Sequence, residues 1–542
     1  MKSLFFLALP LLATFGSLCF VILLNHVQIL RAQEPVLFQA HRLVERRVDA
    51  FGEDCAFSLY DYTNSDPHKS TFSNHLAADG TGDDFGGDPM LQKMPGTDFQ
   101  AYVRADIASF YQQAPGSMKE EIPGYKGQAG KFINMSPSRL SLYWVGSTGL
   151  QFNGNLGPWE SGGTATFPGH EFALTKPGQP ENIICRFRVV KGTSVYYYDP
   201  FTQASDVDPA SCVDEHLQVD ILPSLDDLPH SDRQKYNAQK DNIAFGALYK
   251  NFTGGSEWLT MYPKDPPRHH IHRADYFGQE HHIDTRQAHF HTIPPEEALQ
   301  PMASAQMRRD TEDNMVSFAE YRAPGTLNLT VKALSCAPRA FQVENFLTDV
   351  EADHIVGLVQ KKNDMQRSST NGHISETRTS STTWLARHSD PVIDSIFRRV
   401  ADTLKMDEAM LRDRQPGELA GMTTDRRINE DLQIVHYGVG QQYTAHHDFG
   451  YPKGDPGSPS RSINFCMYLN DVPAGGQTSF PRWRNAETNG ALNVVPKKGT
   501  AMIFYMVNPD GNLDDLTHHA ALPVIEGEKF FSNLWIWDPV RL

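Results

Sequence analysis

The chain has 542 residues, too many for one hydrophobic core, and its length predicts about three domains. Its hydrophobic fraction of 40% and charged fraction of 21% are typical of a globular protein. The 65 acidic residues outnumber the 49 basic residues, which gives a formal net charge of -16. Because this negative field repels nucleic acid, we exclude nucleic-acid binding as the function.

The N-terminal residues predict a membrane segment. An almost unbroken apolar run extends from Leu4 to Leu24. A helix of this length crosses about 30 Å of hydrocarbon, and the run is longer than the apolar part of a typical cleaved signal peptide. We therefore predict a signal anchor over residues 1–32 and attachment to a membrane through this helix.

The charges that flank this segment favour a cytosolic position for the rest of the chain. Only Lys2 precedes the apolar run, whereas four arginines follow it closely. These arginines are Arg31, Arg42, Arg46 and Arg47.

Cysteines and glycosylation acceptors favour the opposite, lumenal side. The five cysteines beyond the membrane segment fit no zinc motif and permit disulfides, with Cys185 and Cys212 the nearest pair. Asn251 and Asn328 begin glycosylation acceptor motifs, whereas a third motif at Asn134 is weakened by a following proline. We predict a single-pass type II protein of the endoplasmic reticulum or Golgi, with its C-terminal part in the lumen.

The next two segments differ in composition. Residues 33–130 are polar and rich in Gly and Asp, without a sustained helical or strand period, and we predict a partly irregular stem. Residues 131–225 contain short runs of aromatic and β-branched residues separated by Gly, Pro and Asn. That spacing predicts a β-sandwich-like domain.

Part of this β-rich segment resembles the β-domain of the von Hippel-Lindau protein, which binds hydroxyproline peptides. The resemblance covers residues 132–175 and depends on Trp144, Gly169, His170 and the turn signals around them. It implies a module that reads hydroxyproline. In the alternative interpretation, Trp144 is a core residue and His170 belongs to a loop.

Residues 226–335 predict a connector that contains a histidine-rich segment. Seven histidines lie between His269 and His291, a density that can chelate zinc or copper. Since the segment has no repeated ligand spacing, the alternative is a solvated or pH-sensitive surface.

Residues 336–542 carry the clearest secondary-structure signals. Thr348 and Glu351 have capping-box spacing beside an apolar stripe, which predicts a helix. Pro391 opens a second predicted helix. A strand-rich region follows over residues 432–537. Helices that brace such a region predict the α+β class, with a double-stranded β-helix, or jelly roll, at the C-terminus.

A candidate metal centre lies in this region. The run LQIVHYGVGQQYTAHHDFG predicts a strand, a glycine turn and a second strand, and an extended strand directs His446 and Asp448 to one face. His447 would point away from Asp448. One further ligand would complete the 2-His-1-carboxylate triad, which leaves open positions on Fe(II), and His518 and His519 both offer it.

Lys529 stands ten residues after His519 in a strand pattern that is otherwise apolar. A lysine is costly to bury without a partner, so this position predicts an anionic ligand that carries a carboxylate. The alternative is a lysine on the protein surface.

Seven motifs in order resemble the prolyl 4-hydroxylase family, over about residues 338–537. An accidental match to this ordered set is very rare. The motifs are RTSSTTWL, LQIVHYGVGQQY, HHD, SINFCMYLNDVPAGGQTSFP, PKKGTAMIFY, HHAALPV and GEKFFSNLWIW.

This resemblance implies the residues that hold the metal and the cosubstrate. The implied iron ligands are His446, Asp448 and His519, the last because it begins the family's His-Ala-Ala-x-Pro-Val string. Lys529 is implied to pair with the distal carboxylate of 2-oxoglutarate.

Five further residues receive implied roles. Tyr437, Thr478 and Trp535 match positions that line the 2-oxoglutarate pocket, although their residue types alone favour ordinary core positions. Tyr443 and Arg461 match positions that face the peptide proline.

The sequence departs from the family pattern at three positions. His447 stands where an aromatic residue is common, and Leu522 replaces a frequent cysteine. Trp537 stands where many relatives have histidine, which makes the substrate less certain than the reaction class.

The resemblance implies Fe(II)- and 2-oxoglutarate-dependent hydroxylation of peptidyl proline to 4-hydroxyproline in secretory-pathway proteins. O2 is the cosubstrate, ascorbate is the expected reductant, and a proline-containing peptide or protein is the expected partner. Two alternatives remain open. One is a 2-oxoglutarate dioxygenase that acts on another residue or a small molecule, and the other is a membrane-tethered peptide-binding protein with an inactive dioxygenase domain.

Overall fold

A computed structural model describes most of the chain between residues 127 and 538. The predicted anchor at 1–32 and nearly all of the predicted stem at 33–130 lie outside the described residues. No helix within the described part has the length and apolar character that a membrane crossing requires. The ranges between 127 and 538 that are not described are 203–207, 213–221, 253–256, 262–269, 275–277, 297–317, 337, 370–373, 375, 415–417, 419–425, 451–459, 483–491 and 509–510.

Eight strands form a sandwich of two four-stranded sheets at the start of the described chain. The strands are β1 (Gln128–Asn134), β2 (Leu140–Gly146), β3 (Gly149–Leu156), β4 (Ser161–Thr166), β5 (Glu171–Lys176), β6 (Gln179–Arg188), β7 (Val195–Tyr198) and β8 (Ser211–Cys212). One sheet has the order β4-β1-β7-β8 and the other the order β3-β2-β5-β6. The first strand begins at Gln128, whereas we predicted the domain boundary at residue 131.

The sandwich is held by a shared core and one covalent bond. Phe132 and Tyr196 of the first sheet and Phe172 of the second belong to one buried cluster. The disulfide between Cys185 of β6 and Cys212 of β8 joins the two sheets, which confirms this pairing. The cluster therefore lies between the sheets, as the alternation of apolar and polar residues predicts.

Trp144 lies on β2 of the second sheet, and His170 directly precedes β5 of the same sheet. Trp144 is half-buried and packs against the sandwich core, and its ring centroid lies 5.4 Å from that of His170. The hydroxyproline-reading module therefore stays a prediction.

The predicted connector contains regular structure. Helix α1 (His230–Phe252) packs on the sandwich through Tyr236, and Gln239 Nε2 donates to the backbone oxygen of Trp159 at 2.8 Å. Strand β9 (Glu280–Thr285) then pairs with β10 (Leu327–Cys336). Both belong to the large sheet of the C-terminal domain, so the boundary predicted at residue 336 is too late, because strand pairing and not composition defines the domain.

Two histidines of the His-rich segment pack within this domain, whereas His282 and His291 are exposed. His272 is fully buried, and its Nε2 donates to the backbone oxygen of Thr403 at 2.7 Å. His281 Nε2 donates to the backbone oxygen of Arg273 at 2.7 Å. No three described side chains of this segment bring metal-ligand atoms together.

The remaining strands form the C-terminal domain. They are β11 (Arg339–Val343), β12 (Gln366–Arg367), β13 (Ser381–Leu385), β14 (Leu432–Tyr437), β15 (Tyr443–His446), β16 (Arg461–Tyr468), β17 (Ala474–Gly475), β18 (Thr478–Phe480), β19 (Leu492–Val494), β20 (Ala501–Tyr505), β21 (His519–Ala521), β22 (Val524–Glu526) and β23 (Lys529–Trp537).

Two sheets of this domain face each other. The large sheet has the order β12-β13-β14-β23-β16-β20-β11-β10-β9, and the small one the order β15-β21-β18-β19. Phe480 and Val494 of the small sheet share a buried cluster with Phe504 and Phe531 of the large sheet. This arrangement is that of a jelly roll, as predicted.

Two helices brace the outer side of the large sheet. Helix α2 (Asp349–Lys362) begins with the predicted capping box of Thr348 and Glu351. Helix α3 (Pro391–Thr403) begins with Pro391, and Asp390 caps it by accepting from two backbone amides. Apolar residues of both helices share a buried cluster with the large sheet. The domain therefore has the predicted combination of a β-rich core and few helices.

Candidate metal and 2-oxoglutarate site

Two short strands of the small sheet bring two histidines and a carboxylate together. His446 ends β15 and His519 begins β21, and the two residues are direct partners in the antiparallel pairing of these strands. The imidazole nitrogens and a carboxylate oxygen of Asp448 all lie within 4.8 Å of one another. This donor set of two nitrogens and one oxygen fits a ferrous ion.

Asp448 reaches this position in a way that strand alternation does not explain. Strand β15 ends at His446, so Asp448 lies in a bend rather than in a continued strand. Asn464 Nδ2 donates to the Asp448 carboxylate at 2.7 Å, and Trp535 Nε1 donates to it at 2.9 Å. Side chains of the large sheet therefore hold this ligand in place.

Backbone carbonyls orient both histidines. His446 Nδ1 donates to the backbone oxygen of Thr444 at 2.8 Å, and His519 Nδ1 donates to that of Thr517 at 2.9 Å. With Nδ1 of each ring donating to a carbonyl, Nε2 of each ring faces the Asp448 carboxylate, at 3.4 Å in both cases. Both histidines therefore present the nitrogen that a metal needs.

Burial and mutual charge shift the pKa of all three groups. Burial alone would lower the pKa of His519, but the adjacent Asp448 carboxylate raises it above the usual value. Burial and the nearby His519 lower the pKa of His446 to about 4, so this ring is neutral at neutral pH. Burial alone would raise the pKa of Asp448, but His519 and His446 hold it well below its usual value. The site therefore provides an ionised carboxylate together with a neutral imidazole, the forms that ligate metals.

Lys529 begins β23 at the inner end of the same cavity and is only 1% exposed. Its Nζ donates to the backbone oxygen of Gly476 at 2.7 Å and lies near the rings of Tyr437 and Phe531, at 5.5 and 4.6 Å from their centroids. No described carboxylate forms an ion pair with it. Burial lowers the pKa of Lys529 to about 7, which indicates a cation that lacks its counter-ion.

The three other predicted cofactor residues line the same cavity. Tyr437 and Thr478 are buried, and the hydroxyl of Tyr468 donates to Thr478 Oγ1 at 2.9 Å. Trp535 contributes its indole to the cavity wall while it donates to Asp448. The cavity has a volume of about 610 Å³, within the usual range for small-molecule sites.

Both residues predicted to face the peptide also line the cavity. The ring of Tyr443 stacks on that of His446, with centroids 3.6 Å apart. The Arg461 guanidinium lies 3.7 Å from the ring centroid of Trp535 and donates to both carboxylate oxygens of Glu430, at 2.6 and 3.0 Å. Trp537 Nε1 also donates to Glu430. The tryptophan that replaces the family's histidine therefore shares its carboxylate partner with Arg461.

The two rival histidines do not belong to the triad. Their rings pack against each other with centroids 4.6 Å apart, and His447 Nε2 lies 3.3 Å from Asp515. Burial lowers the pKa of both His447 and His518 well below the usual value. The choice of His446 and His519 over their neighbours therefore agrees with the geometry.

Sequence reasoning missed three side chains of the site. Asn464 could have been found, since it is a polar residue in the apolar strand pattern SINFCMY. Arg378 begins the motif RTSSTTWL but was given no role, and Glu430 carries no local signal. The Arg378 guanidinium lies 4.7 Å from the ring centroid of Tyr443, in a loop whose position only the tertiary structure gives.

The C-terminal part of the chain is similar in sequence to known proteins. Residues 432–537 match the family model of the 2OG-Fe(II) oxygenase superfamily. Together with the jelly roll and the triad, this match defines the chain as an oxygenase that uses Fe(II) and 2-oxoglutarate.

Individual relatives narrow the assignment. Prolyl 4-hydroxylase 2 of Arabidopsis thaliana is 34% identical over 227 residues, which cover 38% of this chain and 69% of that protein. Probable prolyl 4-hydroxylase 8 of the same plant is 33% identical over 222 residues, 38% of this chain and 70% of that protein. Through this C-terminal part, the chain belongs to the prolyl 4-hydroxylase family.

A solved structure also matches. The viral collagen prolyl hydroxylase of Paramecium bursaria Chlorella virus-1, in its complex with 2OG, is 28% identical to this chain, with a TM-score of 0.27. The match covers 36% of this chain and 95% of the viral one.

Proposed function

We propose that this protein hydroxylates peptidyl proline to 4-hydroxyproline. The observation that carries the proposal is a single cavity that contains a 2-His-1-carboxylate triad and a buried lysine without a carboxylate partner among the described residues. A triad alone fits many iron enzymes. The buried lysine supports binding of an oxoacid through its distal carboxylate. The family relationship supports proline as the target residue.

In this proposal His446, Asp448 and His519 hold Fe(II), and Lys529 pairs with the distal carboxylate of 2-oxoglutarate. The bound metal and cosubstrate supply the oxidising chemistry, in which one oxygen atom of O2 enters the C4–H bond of proline and the other enters succinate as CO2 leaves. Tyr437 and Thr478 fill the wall around Lys529 and exclude water from the ion pair. Ascorbate is proposed as the reductant that restores iron oxidised without peptide turnover.

Tyr443 and Arg461 are proposed to position the peptide proline. Both lie on the cavity wall beside the triad, and their partners hold them in place. Tyr443 stacks on His446, and Glu430 fixes the Arg461 guanidinium by a bidentate pair. A flat aromatic ring and a fixed guanidinium can align a prolyl ring and its backbone carbonyl relative to the metal.

The test is incubation of the purified protein with Fe(II), ascorbate, 2-oxoglutarate and a panel of proline-containing peptides. We expect succinate formation coupled to a mass increase of one oxygen atom on proline. His446→Ala should abolish both products, whereas the exposed His282→Ala should retain them. Wild-type turnover in metal-analysed His446→Ala protein would contradict the site.

The same experiment separates the alternatives. If succinate formation is coupled to oxidation of another residue or of a small molecule, proline is not the substrate, but the protein is still a 2-oxoglutarate dioxygenase. If the wild-type protein loads iron and 2-oxoglutarate but forms no succinate with any peptide, the domain is an inactive binding module.

We also propose a lumenal position in the secretory pathway, with the N-terminal segment as the membrane anchor. The disulfide between Cys185 and Cys212 supports an oxidising compartment. Asn328 is exposed on β10, as glycosylation requires, whereas Asn134 is fully buried. Endoglycosidase treatment of the cellular protein tests this: a mobility shift that Asn328→Gln removes or reduces is the expected result, and an unshifted wild-type protein contradicts it.

A further inference from the structure

The cavity that holds the triad is not lined by the C-terminal domain alone. Three consecutive residues of the sandwich, Gly163, Thr164 and Ala165, also line it. They belong to β4, which lies at the edge of its sheet and pairs only with β1 among the described strands. Part of the cavity wall therefore comes from a separate domain.

These three residues contribute the backbone edge of a strand to the cavity wall, and not the side chains of one sheet face. Side chains of successive strand residues point to opposite faces, so one face cannot offer all three residues to one cavity. Consecutive residues of a strand all lie along the same backbone edge. Since β1 occupies one edge of β4, the other edge, with its backbone N–H and C=O groups, faces the cavity.

Contacts behind β4 fix its position relative to the triad. Ala165 pairs with Ala129 of β1, and Ala129 shares a buried cluster with Phe449, the residue after Asp448. Three hydrogen bonds also link the two domains through the segment of residues 257–260. Buried Lys131 Nζ donates to the backbone oxygen of Thr260 at 3.0 Å.

Leu259, next to Thr260, and Glu257 bind Asn512 of the C-terminal domain. The backbone amide of Leu259 donates to Asn512 Oδ1 at 2.8 Å, and Asn512 Nδ2 donates to the backbone oxygen of Glu257 at 2.8 Å. Both hydrogen bonds join the sandwich side to the C-terminal domain. The edge of β4 is thus held at the cavity by buried packing and hydrogen bonds, not by a surface loop.

We propose that the free edge of β4 binds the main chain of the peptide substrate, as an additional strand beside the residue to be hydroxylated. This inference rests on the proposed function, since the occupant is the proline-containing substrate. The argument for this occupant is continuity, because the edge and the triad line the same cavity. A peptide that enters the site passes along β4.

The chemistry of the edge suits such a peptide. Glycine, threonine and alanine have small side chains, so another backbone can approach closely. None of the three is proline, and the N–H groups of successive strand residues point alternately to the two edges, so one or two of these three amides face the free edge. An extended proline-rich chain has unpaired carbonyl groups but few N–H groups, and it can accept these donors without losing much conformational entropy. Main-chain contacts of this kind select for an extended conformation rather than for a side-chain sequence.

The first measurement is kinetic and compares two peptides that each contain one target proline. The short peptide has about three residues and the long one about twelve, which span about 40 Å when extended. Ala165→Arg places a long side chain on the edge, and Gln151→Arg on β3, the edge strand of the other sheet, is the matched control. Gln151 is exposed and does not line the cavity.

We expect Ala165→Arg to increase the ratio of the long-peptide KM to the short-peptide KM about tenfold, the effect of losing one or two hydrogen bonds. Gln151→Arg should leave this ratio unchanged. An unchanged ratio in Ala165→Arg, or an equal change in the control, would overturn the docking edge while the hydroxylase function stands. If the wild-type protein hydroxylates neither peptide, the proposed function itself fails.

The second measurement does not depend on turnover. Hydrogen–deuterium exchange of the full chain, loaded with iron and 2-oxoglutarate without O2, should show slower exchange when the long peptide is added, at those amides among residues 163–165 that point away from β1. The short peptide should produce no such protection. Binding of the long peptide without protection at β4 contradicts the inference. Protection that is already complete before peptide addition also contradicts it, because another segment of the chain then covers the edge.

Discussion

The ammonium group of Lys529 is buried among aromatic rings, and among the described residues it donates to the backbone oxygen of Gly476. Burial lowers its pKa to about 7, so the lysine loses its charge within the physiological range unless an anion binds. A carboxylate beside the ammonium stabilises the charged form and raises this pKa. Binding of 2-oxoglutarate and protonation of Lys529 are therefore linked.

The first prediction follows from this linkage. Below pH 7 Lys529 is already protonated, so the affinity for 2-oxoglutarate should be independent of this group. Above pH 7 binding requires uptake of a proton, and the dissociation constant should rise by up to about tenfold per pH unit. Isothermal titration in buffers of different ionisation enthalpy measures both the affinity and the proton uptake.

Lys529→Met is the matched control for this pH dependence, because it retains the apolar part of the side chain. The variant should bind 2-oxoglutarate about a hundredfold more weakly, since it loses a buried charge-assisted pair. Its affinity should no longer show this dependence above pH 7. A wild-type protein with the same pH profile as the variant would argue against Lys529 as the carboxylate partner.

Asn464 is a second residue whose effect is local. Its amide donates to Asp448 at 2.7 Å, and it thereby fixes a metal ligand that lies outside any strand. Partners of this type typically contribute about ten- to a hundredfold to metal affinity. We predict that Asn464→Ala weakens Fe(II) binding by this factor, measured by competition with a chelator. The exposed Asn328→Ala serves as the control, and equal iron affinities for the two variants would contradict the role.

At the scale of elements, helices α2 and α3 are joined by a buried ion pair. Both side chains of the Arg399–Glu351 pair are fully buried, and the guanidinium donates to both carboxylate oxygens, at 2.9 and 2.7 Å. Glu351 also forms the capping box of α2, and it accepts from the backbone amide of Phe290. The pair therefore connects the two helices with the segment that follows β9.

We predict that Arg399→Met destabilises the domain by about 3–5 kcal/mol, because it leaves the Glu351 carboxylate buried without its partner. The half-buried pair of Arg427 and Asp431 provides a comparison, and Arg427→Met should cost about 1 kcal/mol or less. Chemical denaturation monitored by circular dichroism gives both values. Similar losses in the two variants would show that the buried pair has no special role.

The elements themselves were predictable where the signal is local. Thr348 with Glu351, and Pro391 after a capping aspartate, mark the starts of α2 and α3 because the caps satisfy backbone groups within the same turn. The pairing of β9 and β10 with the large sheet was not predicted. Hydrogen bonds between strands that are distant in sequence leave no periodic signal within either strand.

At the scale of the whole molecule, the sandwich and the C-terminal domain have different tasks. The metal ligands and Lys529 belong to the C-terminal domain, whereas among its described residues the sandwich contributes β4 alone to the cavity wall. The disulfide between Cys185 and Cys212 lies within the sandwich and joins its two sheets. Loss of this bond should therefore affect the stability of the sandwich more than the chemistry.

We predict that the double variant Cys185→Ala, Cys212→Ala lowers the free energy of unfolding of the sandwich by about 3 kcal/mol, for a closed loop of this size. It should still form succinate at low temperature, because neither cysteine touches the cavity. Differential scanning calorimetry and succinate release measure the two properties. Complete loss of succinate formation in the folded variant would show that the sandwich has a greater part in the chemistry than the structure assigns.

The sequence alone determined the ligand types, their order and the class of reaction. Residue type and spacing placed His446 and Asp448 together as ligands, and the motifs that resemble the prolyl 4-hydroxylase family implied His519 as the third ligand and Lys529 as the cosubstrate residue. The same local information gave the sandwich strands and the nearest cysteine pair.

Only the tertiary structure decided how Asp448 is held and which surface faces the metal. Asp448 depends on Asn464 and Trp535, which lie 16 and 87 residues away in sequence. The position of β4 depends on packing between domains, including a hydrogen bond between residues 253 positions apart. Such contacts arise from the shape of two folded cores, and sequence periodicity reports only the alternation within each element.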